Sequence, residues 1–198
     1  MGTISGEGGL IPRLFLVAPE PLPALFADCL TAACEAGDVA SLLAPAGLSK
    51  DQVALAQSLG VAVLFGDARN AVSAGADGAQ VAGESRVIAD ARKILGKNGI
   101  VGALAGDSRH AAMEAAEAGA DYVALSQTAP LVGGEPLVKW WVEFFEIPCV
   151  AWDPVDAVAL DTLLPQNPDF IRPAAAMWES PAMAKQIIAA LTERLKKP

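Results

Sequence analysis

Short apolar runs recur along the chain: LFLVAPE (14–20), VASLLAP (39–45), VAVLFGD (61–67), DGAQVAG (77–83), GIVGALAG (99–106), DYVALSQ (121–127), IPCVAWD (147–153) and DFIRPA (169–174). Each is almost continuously hydrophobic rather than alternating, the pattern of strands buried on both faces of a parallel sheet. Ala-rich segments with helical period lie between them. In 108–118, Ala112, Ala115 and Ala116 share a face, with Arg109 and Glu117 off it. In 137–146, Leu137, Trp140, Trp141, Phe144 and Phe145 form an apolar stripe. The segment 181–197 buries Ile187, Ile188, Leu191 and Leu195 and ends in Lys196-Lys197, as the helix dipole prefers.

The punctuation agrees. Ser49-Lys50-Asp51-Gln52 is a capping-box pattern, and Ser180-Pro181 and Asp153-Pro154 place proline at a first helical position. Gly37, Gly75 and Gly119 are expected to close helices in the left-handed conformation. Ala-Gly-Asp at 36–38 and Ala-Gly-Ala-Asp at 74–77 and 118–121 form a faint repeat, each marking the passage from one βα unit to the next. Eight such units over residues 1–198 predict a small single-domain (β/α)8 TIM barrel, with 1–12 as a flexible N-terminal lead. A flavodoxin-like doubly wound sheet, which needs only about five or six units, is the weaker alternative.

Composition narrows the function classes. The net charge of −9 argues against nucleic acid and against an anionic membrane surface. One histidine, His110, excludes sites built on two, and it falls in the first turn of a helix, where a solvated surface role is expected. Cys29, Cys34 and Cys149 show no CxxC spacing and read as reduced, buried thiols. The opening apolar run 14–18 is too short for a secretory leader and no stretch is long enough to span a membrane, so a cytoplasmic protein is expected.

In such a barrel the chemistry sits at the C-terminal ends of the strands. The polar residues there are Glu20, Asp67, Glu84, Ser85, Asp107, Gln127, Thr128, Asp153 and Arg172, joined by Trp152. The carboxylates could hold a divalent cation, but Asp67, Asp107 and Asp153 equally stand where helix N-caps belong. Arg172 ends the eighth strand, where barrels of this kind often bind phosphate; its alternatives are an anion in the mouth or an ion pair with Asp153 or Glu20. Trp152 and Trp178 are candidates for a pocket floor or a dimer contact. Trp140 and Trp141 read as core or interface packing.

The order FGDARNAVSAGADGAQVAG, then ARKILGKNGIVGALAGDSRHAAMEAAEAGADYVALS, resembles the thiamine-phosphate synthase family and its thiazole tautomerase relatives. LFLVAPE and IPCVAWD fit that family's first and seventh strands. The resemblance implies a small (β/α)8 barrel that joins a pyrimidine methyl pyrophosphate to a thiazole phosphate, with Mg²⁺ on the leaving pyrophosphate. It places a metal aspartate at Asp67, with Glu84 as substitute for a second, and an anion contact at Arg172. Gln127, Thr128, Trp152, Asp107 and Asp153 complete the ligand-binding candidates.

Elsewhere the pattern departs. The family's Gln-x-Arg-x-Lys run meets Leu43-Ala44-Pro45-Ala46-Gly47, and its Ser-x-His meets Leu104-Ala105-Gly106. Its Thr-rich phosphate loop becomes Gln127-Thr128-Ala129-Pro130-Leu131, and its paired glycines become Trp152-Asp153. Its Val-Ser-Gly on the eighth strand becomes Pro173-Ala174-Ala175. Three readings follow: a diverged synthase with lost or altered activity, a non-catalytic ligand- or partner-binding pseudoenzyme, or a different small-molecule enzyme on the same barrel. The partner expected in each is a small molecule, phosphorylated if the resemblance holds. The apolar 137–145 face points to a homodimer.

Overall fold

The structure is a computed structural model that describes residues 11–131 and 133–196. Most of the expected lead, and Lys197, lie outside the described residues. Eight parallel strands close into a barrel in sequence order: β1 (Arg13–Val17), β2 (Val39–Ala44), β3 (Ala62–Phe65), β4 (Gly78–Ala82), β5 (Ile100–Gly106), β6 (Tyr122–Leu125), β7 (Cys149–Val155) and β8 (Phe170–Pro173). β8 closes on β1 through Arg13↔Phe170 and Leu14↔Ile171. Each strand falls within or beside its apolar run, and the doubly wound alternative is excluded by closure.

The helices are α1 (Phe26–Ala36), α2 (Lys50–Ser58), α3 (Ala68–Ala74), α4 (Ser85–Leu95), α5 (Arg109–Glu117), α6 (Leu137–Phe144), α7 (Leu160–Leu163) and α8 (Pro181–Leu195). Ser49 caps α2 with the full reciprocal box to Gln52, and Ser180 caps α8 ahead of Pro181. The Asp153-Pro154 expectation fails. Both residues lie inside β7, and α7 starts only after Asp156 has capped the amides of Val158 and Ala159. The pairing of β7 with β8 shifts register between Ala151 and Val155, an irregularity of the kind that accommodates a proline without a ladder N–H.

Successive residues of each strand alternate between two cores, which explains the unbroken hydrophobicity. Leu14, Leu16, Leu42, Val63, Phe65 and Ile171 pack outward against helices. Phe15, Leu64, Tyr122, Ala124 and Val150 fill the barrel interior, with Val17, Leu43, Trp152 and Phe170 packed on them. Gln80, Gly102 and Tyr122 lie in one row across β4, β5 and β6. The Tyr122 hydroxyl donates to Gln80 Oε1 at 2.8 Å, and a Cβ at Gly102 would collide with the tyrosine ring.

The aspartates that open alternate strands have a structural use. Asp77, Asp121 and Asp169 accept the backbone N–H of Val63, Val101 and Cys149 at 2.7, 2.7 and 2.8 Å. Each carboxylate thus satisfies a donor at the start of the preceding strand. The repeat at 74–77 and 118–121 is the trace of this fastening. Gly75 adopts the expected left-handed conformation and Gly119 also has positive φ. Gly37 does not; its backbone is extended, and it is small because a Cβ would meet Thr192 and Ile188 of α8.

Candidate functional site at the barrel mouth

The strand ends divide the mouth into two arcs. On the β6–β8 arc the polar residues form one network centred on Asp153. Its Oδ2 accepts from Ser126 Oγ at 2.8 Å, Thr128 Oγ1 at 2.8 Å and Thr128 N at 3.0 Å. The Gln127 side chain clamps the same residue's backbone, accepting from Asp153 N at 2.9 Å and donating to Asp153 O at 2.6 Å. Asp153 is therefore no helix cap; it holds the segment after β6 against β7. Partial burial pushes its carboxyl up, but the donors from Ser126 and Thr128 outweigh that and hold it below the usual carboxylate range.

Trp152 and Arg172 stand beside this network. Arg172 Nη1 donates to Trp152 O at 3.3 Å, and the guanidinium carbon lies 4.8 Å from the Trp152 ring centroid. Trp152 in turn meets Phe15 edge-on, so the interior core fixes the ring. The expected ion pair with Asp153 or Glu20 does not form: among the described residues Arg172 makes no salt bridge. Burial lowers its pKa, and the nearby Asp153 charge works in the opposite direction. The guanidinium is half-buried, stacked, and has donors uncommitted among the described residues.

The β1–β5 arc is different. A cleft of about 330 Å³ lies there, lined by Val17, Glu20, Pro45, Gly66, Asp67 and Asn70 among others. Asp67 caps α3, its Oδ1 accepting from Arg69 N and Asn70 N at 2.9 Å each. Glu84 occupies the N-cap position of α4 without a side-chain cap bond. Asp107 is not the α5 cap; Ser108 takes that place, accepting from Ala111 N at 3.1 Å. Leu43 packs on the apolar interior at this end, and Leu104, in register with interior Ala124, is 41% exposed.

The remaining candidates lie elsewhere. Trp178 is core, stacked on Phe26 with its indole N–H donating to Val17 O at 2.8 Å. His110 is solvated, 3.4 Å from Glu114 across one helical turn. All three cysteines are free thiols; burial pushes Cys149 up to about 12 and Cys34 to about 11, so neither is a nucleophile at neutral pH. Ser126 was absent from the candidates drawn from the sequence. Its signal was its place immediately before Gln127, at the end of a strand.

A magnesium ion would draw on few protein ligands. Among the described residues no group of three or more His, Cys, Asp or Glu could hold a metal. Mg²⁺ is commonly bound through one or two carboxylates, with substrate phosphates and water completing the shell. Asp67, whose Oδ2 receives no hydrogen bond from the described residues and which lines the cleft, has an oxygen open to such a role; Glu84 follows the next strand but is not among the residues lining that cleft. A closed protein cage does not fit.

Eight parallel strands with polar residues gathered at their C-terminal ends define a small (β/α)8 barrel with a polar mouth. The family model described as thiamine monophosphate synthase matches residues 46–171. A thiamine-phosphate synthase of Rhodospirillum centenum is 34% identical over 188 residues, covering 86% of this chain and 91% of the relative. That of Hyphomonas neptunium is 32% identical over 92% of this chain and 95% of the relative. The chain belongs to the thiamine monophosphate synthase family. The thiamine phosphate pyrophosphorylase of Pyrococcus furiosus shares the fold, with a TM-score of 0.77 at 20% identity over 94% of this chain and 96% of the other. A structure described as native KDPGal shares it as well, with a TM-score of 0.71 at 14% identity over 91% of this chain and 93% of the other. Among the described residues no helix is long and apolar enough to cross a membrane.

Proposed function

We propose that this chain binds a small phosphorylated heteroaromatic ligand at the β6–β8 side of its mouth and that the family's condensation is lost or altered in it. The observation that carries this reading is the Arg172–Trp152 stack. It sets a cation with open donors beside an aromatic face at the strand ends where barrels of this fold often hold phosphate. Arg172 supplies charge for one phosphate, the Trp152 ring supplies a surface for a planar ring, and Asp153 keeps the β6 segment in place. A leaving pyrophosphate needs more stabilisation than this. Leu43 and Leu104 stand where the resemblance expects polar ligands, and Trp152 fills space where glycines would bring backbone N–H groups to a phosphate.

Mg²⁺, when bound, would neutralise phosphate charge, with Asp67 and Glu84 as its protein ligands. The decisive assay combines the pyrimidine pyrophosphate, the thiazole phosphate and Mg²⁺, with Asp67→Ala alongside. The expected result is turnover absent or much reduced, with saturable binding of the thiazole phosphate that Arg172→Ala weakens at least about tenfold. Full turnover that Asp67→Ala eliminates would overturn this reading. It would establish the second one, an ordinary synthase, which the open Asp67 oxygen and the named relatives favour.

The partner proposal extends to a homodimer through α6, where Phe144 is 68% exposed next to Trp140. Sedimentation of wild type against Phe144→Glu tests it, and a monomer at all concentrations would refute it. Free thiols suit a cytoplasmic setting, which cell fractionation would check.

A further inference from the structure

The N-terminal end of the barrel, opposite the mouth, contains a second cavity of about 290 Å³. Its walls are the first inward residues of the strands, including Phe15, Leu64, Tyr122, Val150 and Phe170. The polar groups around it are almost all committed. Arg13 at its rim pairs with Asp38 at 2.8 Å, and Asp121 is held by Arg92 and the Val101 amide. The Tyr122 hydroxyl is engaged by Gln80. Ser41 is the exception.

Ser41 lies on β2 between Phe15 of β1 and Ala62 of β3 in register. It is 92% buried by area (8% exposed), lines the cavity, and receives no side-chain hydrogen bond from the described residues. The hydroxyl is not sealed off: the cavity opens onto it, so it can be met by whatever occupies the chamber. An apolar chamber with one free hydroxyl, near the lower size limit of ligand pockets, has the character of a binding site.

We propose that this end of the barrel is a second ligand site, for a small neutral molecule with an aromatic or aliphatic body and one hydrogen-bonding group, anchored by Ser41. Neutrality follows from the rim, where both charges are already paired, and from the hydroxyl, which offers no charge to balance an ion. An aromatic body suits walls that present Phe15, Tyr122 and Phe170. The site is separate from the mouth. Arg172 and Asp67 line no part of it.

Indole serves as the probe, with benzothiophene as an isostere that lacks the N–H. Titration of the full chain, followed by amide chemical shifts and thermal midpoint, is expected to show saturable indole binding with shifts clustered at Ser41, Ala62 and Tyr122. Ser41→Ala should weaken indole about fivefold and leave benzothiophene unchanged, the effect of one neutral hydrogen bond. Ser41→Leu and, independently, Ala62→Leu should fill the chamber and abolish both. Arg172→Ala should change neither, so failure here and failure of the mouth reading are distinguishable. No saturable binding by the folded wild type, or indole binding unaffected by both filling variants, overturns the proposal.

Discussion

The two arcs of the mouth are built from the same kind of strand end yet use their polar residues in opposite ways. On the β6–β8 arc, Ser126, Gln127, Thr128, Asp153 and Arg172 bond across strands, so one carboxylate organises two neighbouring elements. On the β1–β5 arc the polar residues act locally. Asp67 caps its own helix and Glu84 makes no side-chain cap bond, while Leu43 and Leu104 carry apolar surface to the opening. One side of the mouth is therefore tied together across strands. The other is open, and its carboxylates are free to act only with help from a ligand or an ion.

The largest effect that would test this contrast is on stability. Asp153→Ala removes the acceptor of three hydrogen bonds, and denaturant unfolding should show a loss of about 2–3 kcal/mol. Asp67→Ala removes a single cap and should cost about 1 kcal/mol. Equal losses for the two variants would erase the distinction between the arcs.

Next comes binding. Arg172→Ala should weaken the thiazole phosphate at least about tenfold while leaving the thermal midpoint nearly unchanged, because its one hydrogen bond to the described residues is long. Calorimetry decides, and unchanged affinity would remove Arg172 from the site.

The pH response is smaller and has a definite sign. Asp153 is held below its unfolded value, so its contribution is present above the usual carboxylate range and is lost as pH falls through the folded value, below about pH 4. Wild type should therefore lose its stability advantage over Asp153→Asn as pH falls through about 4 and below. A constant difference across that range would mean that the network does not depend on the charge.

The smallest effect sharpens the comparison. Asp67→Asn keeps a good cap, so stability should stay within a few tenths of a kcal/mol. Any Mg²⁺ dependence of pyrophosphate binding should nevertheless vanish. Dependence that survives would place the metal elsewhere.

Much of the architecture was readable before any coordinates. Strands buried on both faces need continuous apolar runs, and eight of them, spaced by Ala-rich helical segments, point to closure. Five of the candidate ligand residues also proved to be neighbours, because a strand end is a position that spacing alone can assign. The errors share a cause. Asp153-Pro154 looks like a helix start locally, but β7 continues through it over an irregularity in its pairing with β8. Asp107 looks like a cap, but the adjacent Ser108 reaches the Ala111 amide. Gly37 looks like a left-handed stop, but the packing of α8 is what keeps it small.

Sequence alone determined the periodicities, the unit count, the caps at Ser49, Asp67 and Ser180, and the family to which the chain belongs. These depend on contacts within a few residues or on a pattern repeated many times. Only the tertiary structure decided that Asp153 fastens the β6 segment, that Arg172 stacks on Trp152 instead of pairing with an acid, and that Ser41 lines the cavity at the other end of the barrel. Those outcomes depend on which side chains from different strands converge, and barrel closure sets that through the stagger of all eight strands together.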